Sequence, residues 1–160
     1  IMNKIRKALI SVYNKKDLKP LVHALSKFKI NIISSGGTYK KIRRLGFKCI
    51  ELSKFTNTPE ILNGRVKTLH PKIYGGILNK RENKEHSREI KKNNYENIDL
   101  IVANFYPFED TLLKKVDHNK IIENIDIGGP TLVRAAAKNY NDVVVICNPN
   151  QYGRLSLIHI

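Results

Sequence analysis

Three short segments of the chain combine titratable side chains with backbone features that can hold an anion. Residues 65–71 (RVKTLHP) carry two cations and a histidine, and residues 104–108 (NFYPF) carry an amide and a phenol. Residues 124–131 (NIDIGGPT) place a carboxylate beside two glycines and lead to Lys138. Lysine, tyrosine and aspartate act as acids, bases or oxyanion donors when they converge. Such a set is typical of an active site rather than of a surface loop.

A fourth segment, residues 34–38 (SSGGT), lies between a predicted strand and a predicted helix. Its two glycines allow the backbone to approach a ligand closely, and the helix start offers free N–H groups and a positive dipole end. Ser35 and Thr38 add hydroxyl donors. The segment has neither the Walker ending nor the glycine spacing of dinucleotide-binding loops. It is either a simple turn or part of a phosphate site.

Ser11 and Lys15 close the first predicted strand and occupy the same position in the topology as this turn. They contribute a hydroxyl and a positive charge. Because two strand ends converge on one donor-rich region, the phosphate interpretation is favoured over the simple turn.

Arg65 and Lys67 stand two residues apart, so on an extended backbone they point the same way, towards an anionic substrate. The alternative is a solvated charge pair. His70, restrained by Pro71, is either a base or a structural histidine that bonds backbone. No second histidine, cysteine or carboxylate stands at metal-ligand spacing, so a metal site is not expected.

Asn104 and Tyr106 follow the most apolar predicted strand, residues 98–103, which places them at a carboxyl end, where ligands bind. A buried tyrosine with a satisfied hydroxyl is the alternative. Asp126 precedes a helix start whose N–H groups can form an oxyanion hole, so it is either a cap or a base. Lys138, near the end of that helix, can also simply complement the dipole.

Strands that alternate with helices predict an α/β fold with a mainly parallel sheet. Residues 53–76 are predicted to be irregular and either functional or disordered, and Asp17 is predicted to cap a helix. Residues 153–160 follow no pattern and are expected to be an irregular or foreign tail on a domain of residues 1–152. The predicted strands are 8–12, 31–33, 48–52, 98–103 and 142–147, and the predicted helices are 17–28, 39–45, 82–95, 120–124 and 130–139.

The composition describes one globular domain of 160 residues with 41% hydrophobic content. Its 29 basic and 14 acidic residues give a formal charge of +15. The excess is spread over every segment and does not alternate with aromatic residues, so specific nucleic-acid binding is not favoured. The charge is expected to recruit a small phosphorylated anion.

Cys49 and Cys147 each lie in an apolar run, which favours buried thiols in a reducing compartment over a disulfide or a metal pair. No apolar stretch approaches the roughly 20 residues that span a bilayer. We expect no signal peptide before the first strand. These features predict a cytoplasmic protein.

Four motifs carry a specific resemblance, and they are residues 64–72 (GRVKTLHPK), 104–109 (NFYPFE), 125–131 (IDIGGPT) and 134–139 (RAAAKN). Together they resemble the inosine monophosphate (IMP) cyclohydrolase domain, the N-terminal part of bifunctional purine-biosynthesis proteins of the PurH family. The similarity runs from about residue 8 to 148. It implies a three-layer α/β/α, methylglyoxal-synthase-like fold and closure of 5-formamidoimidazole-4-carboxamide ribotide to IMP with loss of water.

The resemblance also implies roles for individual residues, without a cofactor, a metal, a membrane or nucleic acid. Catalysis falls to Lys67, Tyr106, Asp126 and Lys138. Asp126, assisted by Lys138, would take the amide proton, while Lys67, Tyr106 and backbone N–H groups stabilise the formyl oxygen. The residues implied in substrate binding are Ser11, Lys15, Ser35, Gly36, Gly37, Thr38 and Arg65 for the phosphate, Asn104, Ile127 and Gly128 for the base, and Thr68.

The chain departs from the family at Tyr13 and Asn14, where Ser-Asp is common. The 160 residues are not expected to include the family's transformylase domain, so transformylase activity is not expected of them, and a homodimer is expected of the full-length protein. Two alternatives share the fold. A regulatory nucleotide-binding module would not need the four catalytic residues as a set. Methylglyoxal synthase would place an acid and a histidine beside a triose phosphate.

Overall fold

A five-stranded parallel sheet forms the centre of the computed structural model, which describes residues 4–114 and 117–155. The sheet order is β3-β2-β1-β4-β5, and every neighbouring pair is parallel. The predicted parallel α/β fold is therefore confirmed. The strands are β1 (Lys7–Val12), β2 (Asn31–Ser34), β3 (Ile50–Glu51), β4 (Leu100–Asn104) and β5 (Val144–Ile146).

Helices connect the strands and cover both faces of the sheet. They are α1 (Leu18–Lys27), α2 (Gly36–Arg44), α3 (Leu52–Thr56), α4 (Pro71–Leu78), α5 (Lys84–Lys92), α6 (Phe108–Leu113), α7 (His118–Glu123), α8 (Gly128–Lys138) and α9 (Tyr152–Leu155). Two short 3-10 turns occupy Leu62–Gly64 and Pro149–Gln151. None of the helices in the described ranges is long and apolar enough to cross a membrane.

Side chains on alternate residues of the central strands enter two separate cores. In β1, Ile10 packs in the core that contains α1, whereas Leu9 packs in the core that contains α4 and α8. In β4, Val102 and Ile101 divide in the same way. Because successive side chains of a strand point to opposite faces, β1 and β4 are buried on both sides. This burial produces the three-layer α/β/α arrangement that the sequence predicts.

The segment predicted to be irregular, residues 53–76, contains most of α3 and the first turns of α4. His70 Nδ1 accepts a hydrogen bond from the Lys72 N–H at 3.1 Å and caps α4. Pro71 occupies the first helical position, where its missing N–H costs nothing. Pro71 therefore starts a helix, and the prediction of a loop was wrong here.

The structure differs from the prediction at two helix starts, one helix cap, one strand and the C-terminal segment. Helices α2 and α8 begin at Gly36 and Gly128, earlier than predicted, with the glycines inside the first turn. Asp17 has φ of 55° and its side chain makes no capping bond, so its predicted capping role was wrong. The third strand has only two residues. Residues 153–155 of the predicted tail are helical, and residues 156–160 lie outside the described residues.

Buried charge fixes the amino ends of β1 and β4. Asp99 Oδ2 accepts hydrogen bonds from the N–H groups of Arg6 (2.9 Å) and Lys7 (3.0 Å). The Arg81 guanidinium lies 3.6 Å from Asp99 Oδ1 and donates to the carbonyls of Gly76 and Ile98. Burial lowers the pKa of Arg81, and the nearby Asp99 opposes this shift. Because each buried charge has partners, the cluster ties the two central strands to α4.

Cys49 and Cys147 are both free and partly buried, and neither forms the disulfide that the sequence disfavours. Burial raises the pKa of the Cys49 thiol to about 12 and also raises the pKa of Cys147. Both groups are therefore protonated thiols near neutral pH.

Gly76 supports this same cluster, and replacing it tests the packing. A β-carbon on Gly76 would lie 2.5 Å from the backbone oxygen of Glu96, and that oxygen has little freedom to move. We expect Gly76→Ala to cost about 1–3 kcal/mol and to lower the melting temperature by roughly 3–10 °C in thermal denaturation followed by circular dichroism. Gly153→Ala is the matched control because, beyond its own helix, no atom of the described residues lies within 4 Å of the new β-carbon. Equal melting temperatures for both variants would contradict the packing argument.

Candidate active site

A cavity of about 760 Å³ opens at the carboxyl ends of β1, β2 and β4. The chain leaves β1 and β4 in opposite directions along the sheet, and this switch in strand order is where ligands bind in open α/β sheets. The lining comes from segments 11–15, 35–38, 63–68, 104–106 and 122–129. All sequence-predicted site residues except Lys138 line it, namely Ser11, Lys15, Ser35, Gly36, Gly37, Thr38, Arg65, Lys67, Thr68, Asn104, Tyr106, Asp126, Ile127 and Gly128.

Two ammonium groups flank the Gly36-Gly37 pair at one end of the cavity. A β-carbon on Gly36 would lie 3.6 Å from Lys67 Nζ, and one on Gly37 would lie 3.9 Å from Lys15 Nζ. Gly36 has φ of +52°, a conformation that favours glycine. The N–H groups of the first turn of α2 lie at the same place. This end of the cavity therefore has the donors and the charge of an anion site.

The hydroxyl groups around this end do not all remain free. Thr38 is only 5% exposed, and its Oγ1 donates to the Val12 carbonyl at 2.9 Å, which ties α2 to β1. The Thr38 hydroxyl, which was predicted to donate to a phosphate, therefore makes a structural hydrogen bond instead. Ser35 is the N-cap residue of α2 and makes no side-chain capping bond. Ser35 and Ser11 thus remain the hydroxyl candidates for an anion.

Arg65 forms a bidentate ion pair with Glu123, and both residues line the cavity. Its NH2 and Nε donate to the two carboxylate oxygens at 2.6 and 3.3 Å, and both side chains are about 60% exposed. The Arg65 backbone is helical, with φ of −64° and ψ of −27°, so the extended backbone on which Arg65 and Lys67 would point the same way is not present at Arg65. Among the described residues neither Lys67 nor Lys15 forms a salt bridge, although Glu60 lies close to Lys67 near Gly64.

Asp126 lies at the other end of the cavity, where α8 begins. Its Oδ1 accepts a hydrogen bond from the Gly129 N–H at 2.9 Å, so the capping interaction is present. A β-carbon on Gly129 would lie 2.7 Å from Asp126 Oδ2, and one on Gly128 would lie 2.8 Å from Thr68 Oγ1. Only glycine fits at these two positions without a shift. The backbone amides of the α8 first turn can therefore approach a ligand closely.

Asn104 joins the ends of β1 and β4 through a reciprocal pair of hydrogen bonds. Its Oδ1 accepts from the Asn14 N–H at 2.8 Å, and its Nδ2 donates to the Asn14 carbonyl at 2.9 Å. The amide expected to read a base is thus engaged with backbone. Beside this clamp the rings of Tyr13 and Tyr106 lie with centroids 5.0 Å apart.

Lys138 is the last residue of α8, ten positions beyond Gly128 and therefore about 15 Å along the helix axis. It is exposed and does not line the cavity. The structure thus does not bring Lys138 to the other three predicted catalytic residues within one chain. The sequence predicted the helix, and the rise of an α-helix alone places its last residue far from its first turn.

His70 lies apart from the cavity. Its Nε2 is 3.2 Å from Thr58 Oγ1, and its Nδ1 caps α4. Of the two roles that the sequence left open for His70, a base or a structural histidine, the structure shows the second. Within the described ranges no group of three or more histidine, cysteine, aspartate or glutamate residues is placed to hold a metal.

Eight of the 22 residues that line the cavity were not among the predicted site residues, and Tyr13 and Glu123 are the two of these eight with an aromatic or a charged side chain. Tyr13 was noted only as a departure from the expected family residue, although it lies between Ser11 and Lys15 at the same strand end. Glu123 directly precedes the segment 124–131, but nothing in its sequence context signals a partner 58 residues away.

Removing the Glu123 carboxylate tests whether Arg65 belongs to the anion site. Exposed ion pairs contribute at most about 1 kcal/mol, so freeing Arg65 is expected to tighten inorganic phosphate binding up to about fivefold. The measurement is calorimetric titration of Glu123→Gln with inorganic phosphate at low ionic strength. Glu109→Gln makes the same charge change on α6 outside the cavity. An equal gain in both variants, or no gain in Glu123→Gln, would remove Arg65 from the site.

Comparisons with known proteins agree with the resemblance seen in the sequence. Residues 17–131 match the family model described as MGS-like domain. The bifunctional purine biosynthesis protein PurH of Acetivibrio thermocellus is 52% identical over 149 residues, which are 92% of this chain and 29% of that protein. PurH of Clostridium acetobutylicum is 50% identical over 148 residues, 92% of this chain and 30% of that protein.

The chain thus spans about 30% of the length of these curated relatives. A solved structure described as the crystal structure of ForH superposes with a TM-score of 0.83 at 30% identity and covers 94% of this chain and 76% of that one. The fold, the cavity at the strand ends and these matches lead to one conclusion: the chain belongs to the MGS-like domain family and resembles the corresponding part of PurH.

Proposed function

We propose that this chain is an IMP cyclohydrolase, which closes 5-formamidoimidazole-4-carboxamide ribotide to IMP and releases water. The observation that carries the proposal is the single cavity with an anion site at one end and Tyr106 and Asp126 at the other. Identity of about 50% to proteins named as bifunctional purine biosynthesis enzymes supports it.

The cavity suits a nucleotide in size and charge. Its volume of about 760 Å³ lies in the range of small-molecule sites. The phosphate would lie at Gly36 and Gly37 between Lys15 and Lys67, which directs the base towards Tyr106 and α8. Since the reaction joins two groups of one molecule, holding them in the reactive rotamer supplies much of the rate.

The chemistry requires two proton movements and one stabilised oxygen. The carboxamide nitrogen attacks the formyl carbon, loses a proton and forms the new C–N bond, while the formyl oxygen becomes an alkoxide and then a hydroxyl. That hydroxyl leaves as water with the proton of the formamide nitrogen. Asp126 is the proposed base, and the Tyr106 hydroxyl and the amides of the α8 first turn are the proposed oxyanion donors.

The position of Lys67 supports a binding role in addition to the catalytic one inferred from the resemblance. Its Nζ lies beside Gly36, at the anion end of the cavity rather than beside Asp126. Lys138 receives no step in this proposal because α8 carries it to the far end of the helix.

The placement of Lys138 favours a second candidate, a regulatory nucleotide-binding module of the same fold. Such a module needs the anion site but not the full catalytic set. It would bind IMP without turning over the ribotide. The methylglyoxal synthase alternative gains no support, since no histidine of the described residues lines the cavity.

Asp126→Asn tests the proposed base. Losing a general base costs about 10²–10⁴-fold in rate, so kcat for ring closure should fall by at least about 100-fold in an ultraviolet assay of IMP formation. IMP binding should persist because the amide can still accept from the Gly129 N–H. Asp110→Asn, an exposed carboxylate on α6, is the control. A wild-type rate in Asp126→Asn would refute the base, and IMP binding without any wild-type turnover would favour the regulatory module.

Lys67→Ala separates binding from catalysis at the anion end. If Lys67 holds only the phosphate, KM should rise roughly tenfold or more with kcat nearly constant, because a charge-assisted bond contributes about 1.5–3 kcal/mol. A joint fall of kcat and kcat/KM would instead place Lys67 on the reacting oxygen. Lys40→Ala removes the same charge from α2 outside the cavity and serves as the control.

A further inference from the structure

We infer that Tyr13 is a positioning residue that orients the Tyr106 phenol over the cavity. This inference rests on the proposed function for its effect on rate, but the contact itself is independent of that function. Both residues line the cavity, Tyr13 at the end of β1 and Tyr106 at the end of β4.

The Tyr106 ring depends on packing for its orientation. Within the described residues its hydroxyl makes no hydrogen bond, and 43% of the residue is exposed. The Tyr13 ring contacts it with a centroid distance of 5.0 Å and an interplanar angle of 51°. Tilted aromatic pairs at this distance have a favourable geometry. The hydroxyl is thus left available for a substrate while the ring is held from the side.

The backbone that carries each ring is fixed next to it. Val12 pairs with Asn104 in the sheet register, so the residues that follow each strand leave side by side. The reciprocal bonds between Asn14 and Asn104 then join the two chain segments at 2.8 and 2.9 Å. Asn14 is one residue after Tyr13, and Asn104 is two residues before Tyr106. The clamp therefore fixes the backbone from which each ring projects, and the contact between the rings restrains the Tyr106 side chain.

Holding the phenol matters because an oxyanion donor acts only from a narrow range of positions. A half-exposed tyrosine without its neighbouring ring would populate other staggered rotamers. A smaller fraction of molecules would then present the hydroxyl to the reacting oxygen. The expected cost is a fall in kcat of about twofold to tenfold, with little change in KM, since Tyr13 itself holds no charge.

Three variants of the whole chain test the inference, after circular dichroism has verified that each is folded. Tyr13→Ala removes the ring, Tyr13→Phe retains it without the hydroxyl, and Tyr140→Ala removes an exposed tyrosine beyond the far end of α8. Ring closure gives kcat and KM separately. Nuclear magnetic resonance of ring-labelled tyrosine, with the Tyr106 signal assigned through Tyr106→Phe, reports the environment and order of Tyr106 without substrate.

The inference predicts that Tyr13→Ala lowers kcat at unchanged KM and shifts or broadens the Tyr106 signal. Tyr13→Phe should restore both, and Tyr140→Ala should alter neither. An unchanged Tyr106 signal in Tyr13→Ala overturns the inference, as does a rise in KM alone, which would make Tyr13 a binding residue. If the wild-type chain does not cyclise the ribotide but Tyr13→Ala still perturbs Tyr106, the proposed function fails and the positioning contact stands.

Discussion

The parallel pairing of β1 with β4 is the constraint on which the rest of the structure depends. It joins strands whose sequence separation is about 90 residues and aligns Val12 with Asn104. The cavity depends on this register, because the loops that leave the two strands then lie side by side at one edge of the sheet. A slip of one residue would move the side chains of a strand from one core into the other and separate Ser11 from the Asn104 loop. The cavity would lose its two central walls together.

Polar interactions hold this pair at both ends, and they differ in kind. At the amino ends, Asp99 binds two N–H groups of β1 and lies beside Arg81 in a buried cluster. At the carboxyl ends, Asn104 forms a neutral amide clamp with Asn14 in a more exposed setting. Because removing one partner of a buried ion pair is strongly destabilising, the cluster at the amino ends of β1 and β4 is needed for the stability of the fold. The neutral clamp leaves the cavity's positive charge available for an anion.

The sequence predicted the strands and the sheet type, because apolar runs and strand ends are local signals, and the residue patterns and the family resemblance together predicted 14 of the 22 residues that line the cavity. It did not predict how polar groups are used. Thr38 and Asn104 were expected to contact ligand, but both bond to the backbone of the β1 end. Such pairings depend on contacts across 26 and 90 residues. Lys138 differs from these residues, since helix geometry alone places it about 15 Å along the axis from the start of α8.

The two glycine pairs have the same structural role, which is to leave space at the start of a helix. At Gly36 and Gly37 the missing side chains leave room for Lys67 and Lys15, and at Gly128 and Gly129 they leave room for Thr68 and Asp126. Each pair opens a helix, α2 or α8, so each exposes unpaired N–H groups and the positive end of a dipole. A ligand that is anionic at one end and develops negative charge at the other meets both helix starts. A nucleotide undergoing ring closure has this distribution of charge, whereas a simple phosphate needs only the first helix.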